Sequence, residues 1–421
     1  MQFENTLSFA QNQDNNDPLR SYRERFYIPQ HNGDDCVYLT GNSLGLQPKT
    51  AIGHVQQELN DWAKFGVEGH FDGKNPWFHY HKFFSQSVSK IVGAMEHEVV
   101  VMNNLTVNLH LLMVSFYRPT SDRYKIIMEG GAFPSDQYAM ESQAKFHGFK
   151  YEDAVIEVNP REGEHHLRTE DILQVIEEHG DTVALVMFSG VQYYTGQAFN
   201  MKAITQKAHE VGALAGFDLA HAAGNLVLNL HDWDVDFAVW CSYKYLNSSP
   251  GGVSGAFVHE RHANNPELPR FAGWWGHNES ERFLMKKGYK PEYGAPGWQL
   301  SNAPVMAMAV HQSSLNIFDE VTMEQLNAKS KPLNLYLQYV IEEAARNNDS
   351  LSFEIITPEE RGCQLSVLTG ENGKALFDHL TKHGVIADWR EPNVIRMAPV
   401  PLYNSFEDIY RFGQILLSFE E

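Results

Sequence analysis

Cysteine is scarce in this chain: three in 421 residues, Cys36, Cys241 and Cys363, odd in number and far apart. They form neither a disulfide framework nor a metal-ligand pattern, so the expectation is no metal and a reducing, cytoplasmic setting. Basic charge is also short, with 33 Lys and Arg against 53 Asp and Glu and a formal charge of −20. Such a chain repels phosphate backbones and anionic lipid, which argues against nucleic acid and against a membrane surface as partners. No apolar run approaches the ~20 residues of a membrane span. The N-terminal "MQFENTLSFAQNQDNNDPLR" has no basic stretch followed by an apolar one, so no signal peptide is expected. Internal repeats and low-complexity tracts are lacking. So is the G-x-G-x-x-G spacing of a dinucleotide fingerprint, which removes a nicotinamide oxidoreductase.

What remains is an ordinary globular balance, 43% hydrophobic and 20% charged, long enough for a large core and two domains. The polar N-terminus, with "NQDNNDP", reads as a loop or frayed arm. Ile52, Val55, Leu59, Trp62 and Phe65 recur at helical spacing between Thr50 and Gly66. His79 to Met95 and Val107 to Tyr117 also read as helices, the second buried. Strands and glycine-stopped helices then alternate. "YKIIMEG", "VALVMFSG", "LAGFDLAH", the run Phe237 to Tyr243 and "GAFVHE" are strands; Asp171 to Gly180 and Ala203 to Gly212 are helices. This is an α/β pattern: a three-layer fold with a mostly parallel sheet and helices on both faces. Asp319 to Asn347 reads as a long helical stretch, broken or kinked near Pro332. The expected division is an arm over 1–50, a large domain over 51–320 and a C-terminal segment over 321–421, the arm and the last segment forming a smaller α+β domain.

Ligands in such sheets sit at the carboxyl ends of strands. Ser189 ends one strand, Asp218 and His221 ("FDLAHAAG") the next, and Lys244 ("CSYKYL") another. An unpaired ammonium at the end of a buried strand is costly. Lys244 must reach solvent, pair with a carboxylate, or be used in a Schiff base to a carbonyl cofactor. Asp218 alone reads equally as a carboxylate satisfied by backbone amides or by Lys244. Taken together, the two fit pyridoxal phosphate, with the lysine on the aldehyde and the aspartate on the ring nitrogen. His221 is either a core histidine or a hydrogen-bond partner of the cofactor or of Asp218. Tyr243 offers packing, or a hydroxyl for phosphate or proton transfer. In "NNLTVNLHLL", Leu105 and Thr106 open an apolar helix, with Thr106 an N-cap or a phosphate contact. In "GGAFPSDQY", Phe133 can stack on a flat ring, Pro134 fits a turn and Ser135 or Asp136 an N-cap. The loop "GNSLGLQP" is a turn or presents Asn42 and Ser43 to a substrate. Arg396 in "VIRMAP" needs a carboxylate, from a structural partner or from a substrate.

These blocks, with "FSGVQYYTGQ", "GWWGH", "QLSNAP" and "IRMAPVPLYNSFED", resemble the kynureninase family from about Tyr38 to Asp408. The resemblance implies the aspartate-aminotransferase-like fold and pyridoxal 5'-phosphate as cofactor. Lys244 then corresponds to the cofactor lysine, Asp218 to the partner of the ring nitrogen and His221 to a contact near it. Leu105, Thr106, Ser189 and Tyr243 correspond to phosphate or cofactor contacts, and Phe133 to the stacking ring, in one block with Pro134, Ser135 and Asp136. Trp274 and Asn302 correspond to residues reaching the site from a neighbouring subunit, which implies a homodimer. Arg396 corresponds to the clamp on the substrate carboxylate; His70, Ser43 and Asn302 fall at its aromatic end. The implied reaction is hydrolysis of L-kynurenine or its 3-hydroxy form to L-alanine and anthranilate or 3-hydroxyanthranilate, with Tyr243 as general base for the water. That is a step of tryptophan catabolism and NAD precursor synthesis. A class V aminotransferase or another lyase of the same fold is the rival. A desulfurase needs an exposed cysteine, and only Cys36 reads as accessible.

Overall fold

The computed structural model describes residues 2–420 apart from 264 and 266. Its centre is a seven-stranded sheet. In chain order the strands are β1 (Val99–Val101), β2 (Lys125–Glu129), β3 (Val155–Val158), β4 (Val183–Ser189), β5 (Leu214–Asp218), β6 (Phe237–Cys241) and β7 (Ser254–Val258). Across the sheet they run β1-β7-β6-β5-β4-β2-β3, and β7 alone lies antiparallel to its neighbours. Both faces are covered, which is why these segments are apolar along their length. Val186 and Phe188 of β4 point into one core, and Leu185 and Met187 into the other. Glycine is required in β5: a side chain at Gly216 would meet the Phe237 ring at 2.2 Å.

Two helices matter for the site, α4 (Leu105–Phe116) and α5 (Pro134–Phe146). The preceding ones are α1 (Leu7–Asn15), α2 (Ala51–Phe65) and α3 (Ser85–Val92). After α5 follow α6 (Thr169–Glu178), α7 (Met201–Glu210), α8 (Val305–Phe318), α9 (Met323–Asn347), α10 (Gly373–Lys382) and α11 (Phe406–Leu417). A separate core gathers Ala10, Val37 and Leu39 with residues of α9, α10 and α11 and a four-stranded sheet. The strands of that sheet are β8 (Phe353–Ile355), β9 (Leu365–Thr369), β10 (Asp388–Arg390) and β11 (Val394–Met397).

Several local readings change. The N-terminus is not frayed: α1 is capped by Thr6, and Asp14 accepts the Phe406 and Glu407 amides at the start of α11 (2.8 and 3.0 Å). Cys36 is buried, as are Cys241 and Cys363. The stretch read as a turn at "FPSD" is the first turn of α5, with Phe133 at the N-cap and Pro134 at the first position, where a missing N–H costs nothing. The helix expected over His79–Met95 divides into a tight turn, Trp77–Phe83, and α3. Pro332 does not break α9, because Met323 and Leu326 before it and Leu333, Leu337, Val340 and Ile341 after it bury the apolar face on both sides of the lost hydrogen bond. The strand read through Tyr243 ends at Cys241, since the Tyr243 carbonyl accepts instead from the Gly45 amide (2.8 Å).

Candidate active site

Adjacent strand ends carry Glu129, Ser189 and Asp218, and Lys244 follows β6 by three residues. Ser189, Asp218 and Lys244 line one cleft, whose wall also includes Leu105, Thr106, Phe133, Ser135, Asp136, His221 and Tyr243, and Glu129 is buried behind it. Sequence reading did not single out four further lining residues, Val191, Tyr193, Ala220 and Cys241. Tyr193 lies within a block already noted and turns its ring edge to Phe133 at 5.2 Å. Only the strand order brings these segments together.

The Lys244 amine is 3.0 Å from His221 Nε2 and about equally far from the rings of Phe133 and Tyr243, 5.8 and 6.0 Å. The polar partner of Lys244 is therefore His221, not Asp218. Burial pushes the imidazolium of His221 well down, and the charges of Lys244, Arg396 and Arg390 push it further. A neutral His221 that accepts at Nε2 carries its proton on Nδ1, and Nδ1 is buried without a partner.

Asp218 accepts the Ala220 amide (2.7 Å) and lies beside Asp136. Burial raises both carboxyls, and the charges of Asp218 and Glu129 raise Asp136 further. Asp136 therefore holds the shared proton and donates it to the Asp218 carboxylate. Behind them Glu129 is fully buried and pushed up to about 7 by that burial, with the Ser189 hydrogen bonds pulling it back. Tyr243 is raised by burial, then by Cys241 and Asp218, so its hydroxyl keeps its proton.

The helix starts complete the picture. The N-caps Asn104 and Phe133 supply no side-chain cap; the first-turn amides of α4 are left for another acceptor, and in α5 so is that of Ser135, since Pro134 has no N–H and the Asp136 amide donates to the Phe133 carbonyl (2.9 Å). The cap of α4 is Asn104, which frees the Thr106 hydroxyl; it meets the Ser135 hydroxyl at 2.9 Å. An anion suits this end of the cleft. A flat ring with a basic nitrogen suits the space between Phe133 and the Asp218–Asp136 pair. An aldehyde suits Lys244. Two polar atoms of lining residues, His221 Nδ1 and Asp136 Oδ1, are buried without a partner and suit a polar occupant. Pyridoxal phosphate fits all these demands at once.

The remaining expected residues stand outside the cleft. Arg396 is buried and engaged, with Nε and Nη2 on Asp388 Oδ1 (2.9 and 2.8 Å) and Nη1 on the Tyr193 carbonyl (2.6 Å). Through Tyr193 it backs onto the cleft wall. Ser43 is half-buried in a loop that lies on the Lys244 segment: a side chain at Gly45 would meet the Lys244 carbonyl at 2.3 Å. His70 bonds the Val67 carbonyl (2.9 Å) and packs edge-on against Trp77. Asn302 is exposed. Trp274 is 49% exposed while Trp275 is buried against His81 and Arg282. Trp274 is thus the indole with a face to offer.

The class follows from fold and site together. A family model described as aminotransferase class-V matches residues 37–360, and one described as kynureninase C-terminal domain matches residues 326–416. The fold is shared with a cysteine desulfurase of Escherichia coli (TM-score 0.76, 15% identity, 94% of this chain and 97% of that one). A cysteine desulfurase from Thermococcus onnurineus is similar in the same way (TM-score 0.72, 16% identity, 91% and 94%). The chain is thus an enzyme of the pyridoxal-phosphate-dependent class V group. Kynureninases of Flavobacterium psychrophilum (58% identity, 99% of this chain and 98% of that one), Myxococcus xanthus (53%, 98% and 97%) and Nematostella vectensis (49%, 97% and 92%) resemble it end to end. The chain belongs to the kynureninase family.

Proposed function

We propose that this enzyme hydrolyses the Cβ–Cγ bond of L-kynurenine, or of its 3-hydroxy form, releasing L-alanine and anthranilate or 3-hydroxyanthranilate. One observation carries the reading: Lys244 and the Asp218–Asp136 pair converge on one cleft in a chain that matches kynureninases along nearly its full length. When bound, pyridoxal phosphate supplies an electron sink for charge that develops at the substrate carbons. The amides of Leu105, Thr106 and Ser135 and the hydroxyls of Thr106 and Ser135 would hold its phosphate, and Phe133 would cover its ring. Asp218, with a neutral Asp136 beside it, keeps a proton on the ring nitrogen. Lys244 moves the proton at the substrate α-carbon, and His221 Nε2 accepts from its ammonium form. Tyr243, whose proton is held tightly, serves the substrate β-carbon or the carbonyl oxygen as proton donor better than it serves water as base. Arg396 binds the substrate carboxylate with N–H groups left over from Asp388.

The exposed Trp274 and Asn302, outside their own chain's cleft, support a homodimer in which each completes its partner's site and His70 meets the aromatic end. Three buried thiols support a reducing cytoplasm. No helix among the described residues is long and apolar enough to cross a membrane. The core shared by Ala10, Val37 and Leu39 with α9–α11 supports reading 1–50 and 321–421 as one small domain beside 51–320. The test is product analysis of the protein loaded with pyridoxal phosphate. Equimolar alanine and anthranilate from L-kynurenine is expected. A keto acid with pyridoxamine phosphate would replace this reading by an aminotransferase.

A further inference from the structure

The proposed reaction gives Glu129 no role, yet it is placed to act on the cofactor through one side chain. It ends β2, and its neighbour across the sheet is β4, whose last residue is Ser189. Both donors of Ser189 go to it: the amide reaches Glu129 Oε2 at 3.1 Å, and the hydroxyl reaches Oε1 at 2.5 Å. Ser189 also lines the cleft, whereas Glu129 lies behind the wall. A hydroxyl has one proton and two lone pairs. With the proton committed backwards, only lone pairs face the cleft.

We infer that Glu129 is a positioning residue: by taking the Ser189 proton it makes that hydroxyl an acceptor towards pyridoxal phosphate, and so favours the protonated form of whichever cofactor group it meets. The titratable groups around Glu129 are Asp218 from β5 and Asp136 from α5, both on the cleft floor. A burial cost of this size for a group that only fastened two strands would be hard to account for, since an apolar side chain would fill the same space. The inference rests on the cofactor assignment above.

The test is a pH titration of the visible band of the protein loaded with pyridoxal phosphate, in a four-member cycle of wild type, Glu129→Met, Ser189→Ala and the double variant. Glu129→Met removes the acceptor and lets the Ser189 hydroxyl turn into the cleft as a donor. The midpoint of the band should fall, by at least about one pH unit more in the Ser189 background than in the Ser189→Ala background, a tenfold difference in the equilibrium. Glu129→Gln, which keeps the shape and weakens the acceptor, should show the same coupling at smaller size and keeps the test open if the methionine variant does not fold. Equal shifts in both backgrounds would mean that Glu129 acts by charge alone and would overturn the inference. So would a lowered melting temperature with an unmoved midpoint, the mark of a structural role. Absence of any band in the unsubstituted protein would overturn the cofactor reading and this one with it.

Discussion

The end of the sheet remote from the cleft offers a sharp test of where stability resides. Asp236 precedes β6 with its side chain 1% exposed and accepts four hydrogen bonds: Ala215 N (2.7 Å), His209 Nε2 (2.8 Å), Arg261 Nη2 (2.6 Å) and His262 Nε2 (2.8 Å). Burial alone would raise its carboxyl, but His209, His262 and Arg261 together hold it well below the usual carboxylate range. In Asp236→Asn one acceptor oxygen becomes an amide nitrogen facing donors, and Arg261 loses one of its two carboxylate partners, keeping Asp234. Breaking a buried charge network costs about 3–5 kcal/mol. The low end applies, because Arg261 and His209 are 29% and 28% exposed and can turn to water. At roughly 2.1 cal/mol/K per residue, a chain of 421 residues loses about 3–4 °C in Tm for ~3 kcal/mol. Scanning calorimetry reads this, with the visible band of bound pyridoxal phosphate as control. Since the folded pKa is depressed, the stabilisation is present above the unfolded value and disappears as pH falls through the folded one. The wild-type advantage should therefore shrink in acid. A Tm change below about 1 °C near neutral pH, or loss of the visible band, would refute the reasoning.

Other outcomes follow from the cleft and its margins. Gly45→Ala puts a methyl 2.2 Å from Asn247 Oδ1 and 2.3 Å from the Lys244 carbonyl. Overpacking of about 1–3 kcal/mol should weaken pyridoxal phosphate about 5- to 150-fold, read by titration; unchanged affinity would mean that the loop does not brace the lysine. Arg396→Lys should lower kcat/KM for L-kynurenine by roughly 10- to 150-fold, the worth of a charged hydrogen bond, through KM and with the visible band intact. An unchanged KM would remove Arg396 from the substrate. Trp275→Ala should cost ~3 kcal/mol or more of stability, as a large buried side chain. Trp274→Ala should cost less than ~1 kcal/mol, yet lower activity. Full activity in Trp274→Ala would argue against its reaching a partner's site.

That Lys244 and Asp218 line one cleft was legible because a charged group at the end of an apolar strand is costly to bury unpaired, and the surrounding blocks are long and specific. Glu129 was not, although "YKIIMEG" lay in plain view. A terminal glutamate looks the same whether it meets water or Ser189, and only the strand order decides. The pairing of Arg396 with Asp388 depends likewise on strands β10 and β11 lying side by side. Trp274 and Trp275 are adjacent in sequence and opposite in burial, a difference set by His81 and Arg282 from elsewhere. The N-terminal helix was missed because its own pattern is weakly amphipathic, and its partners lie almost four hundred residues downstream, where Asp14 meets the start of α11. Local rules failed where tertiary contacts supplied the missing energy, as at Pro332.

The central claim is that Lys244 holds the cofactor opposite Asp218. Borohydride treatment of the protein loaded with pyridoxal phosphate fixes the cofactor to the amine that carries it, and tandem mass spectrometry of a digest locates the added mass. The account predicts that mass on Lys244 and its disappearance in Lys244→Ala. Label on another lysine, or none in a protein that has taken up the cofactor, would contradict it.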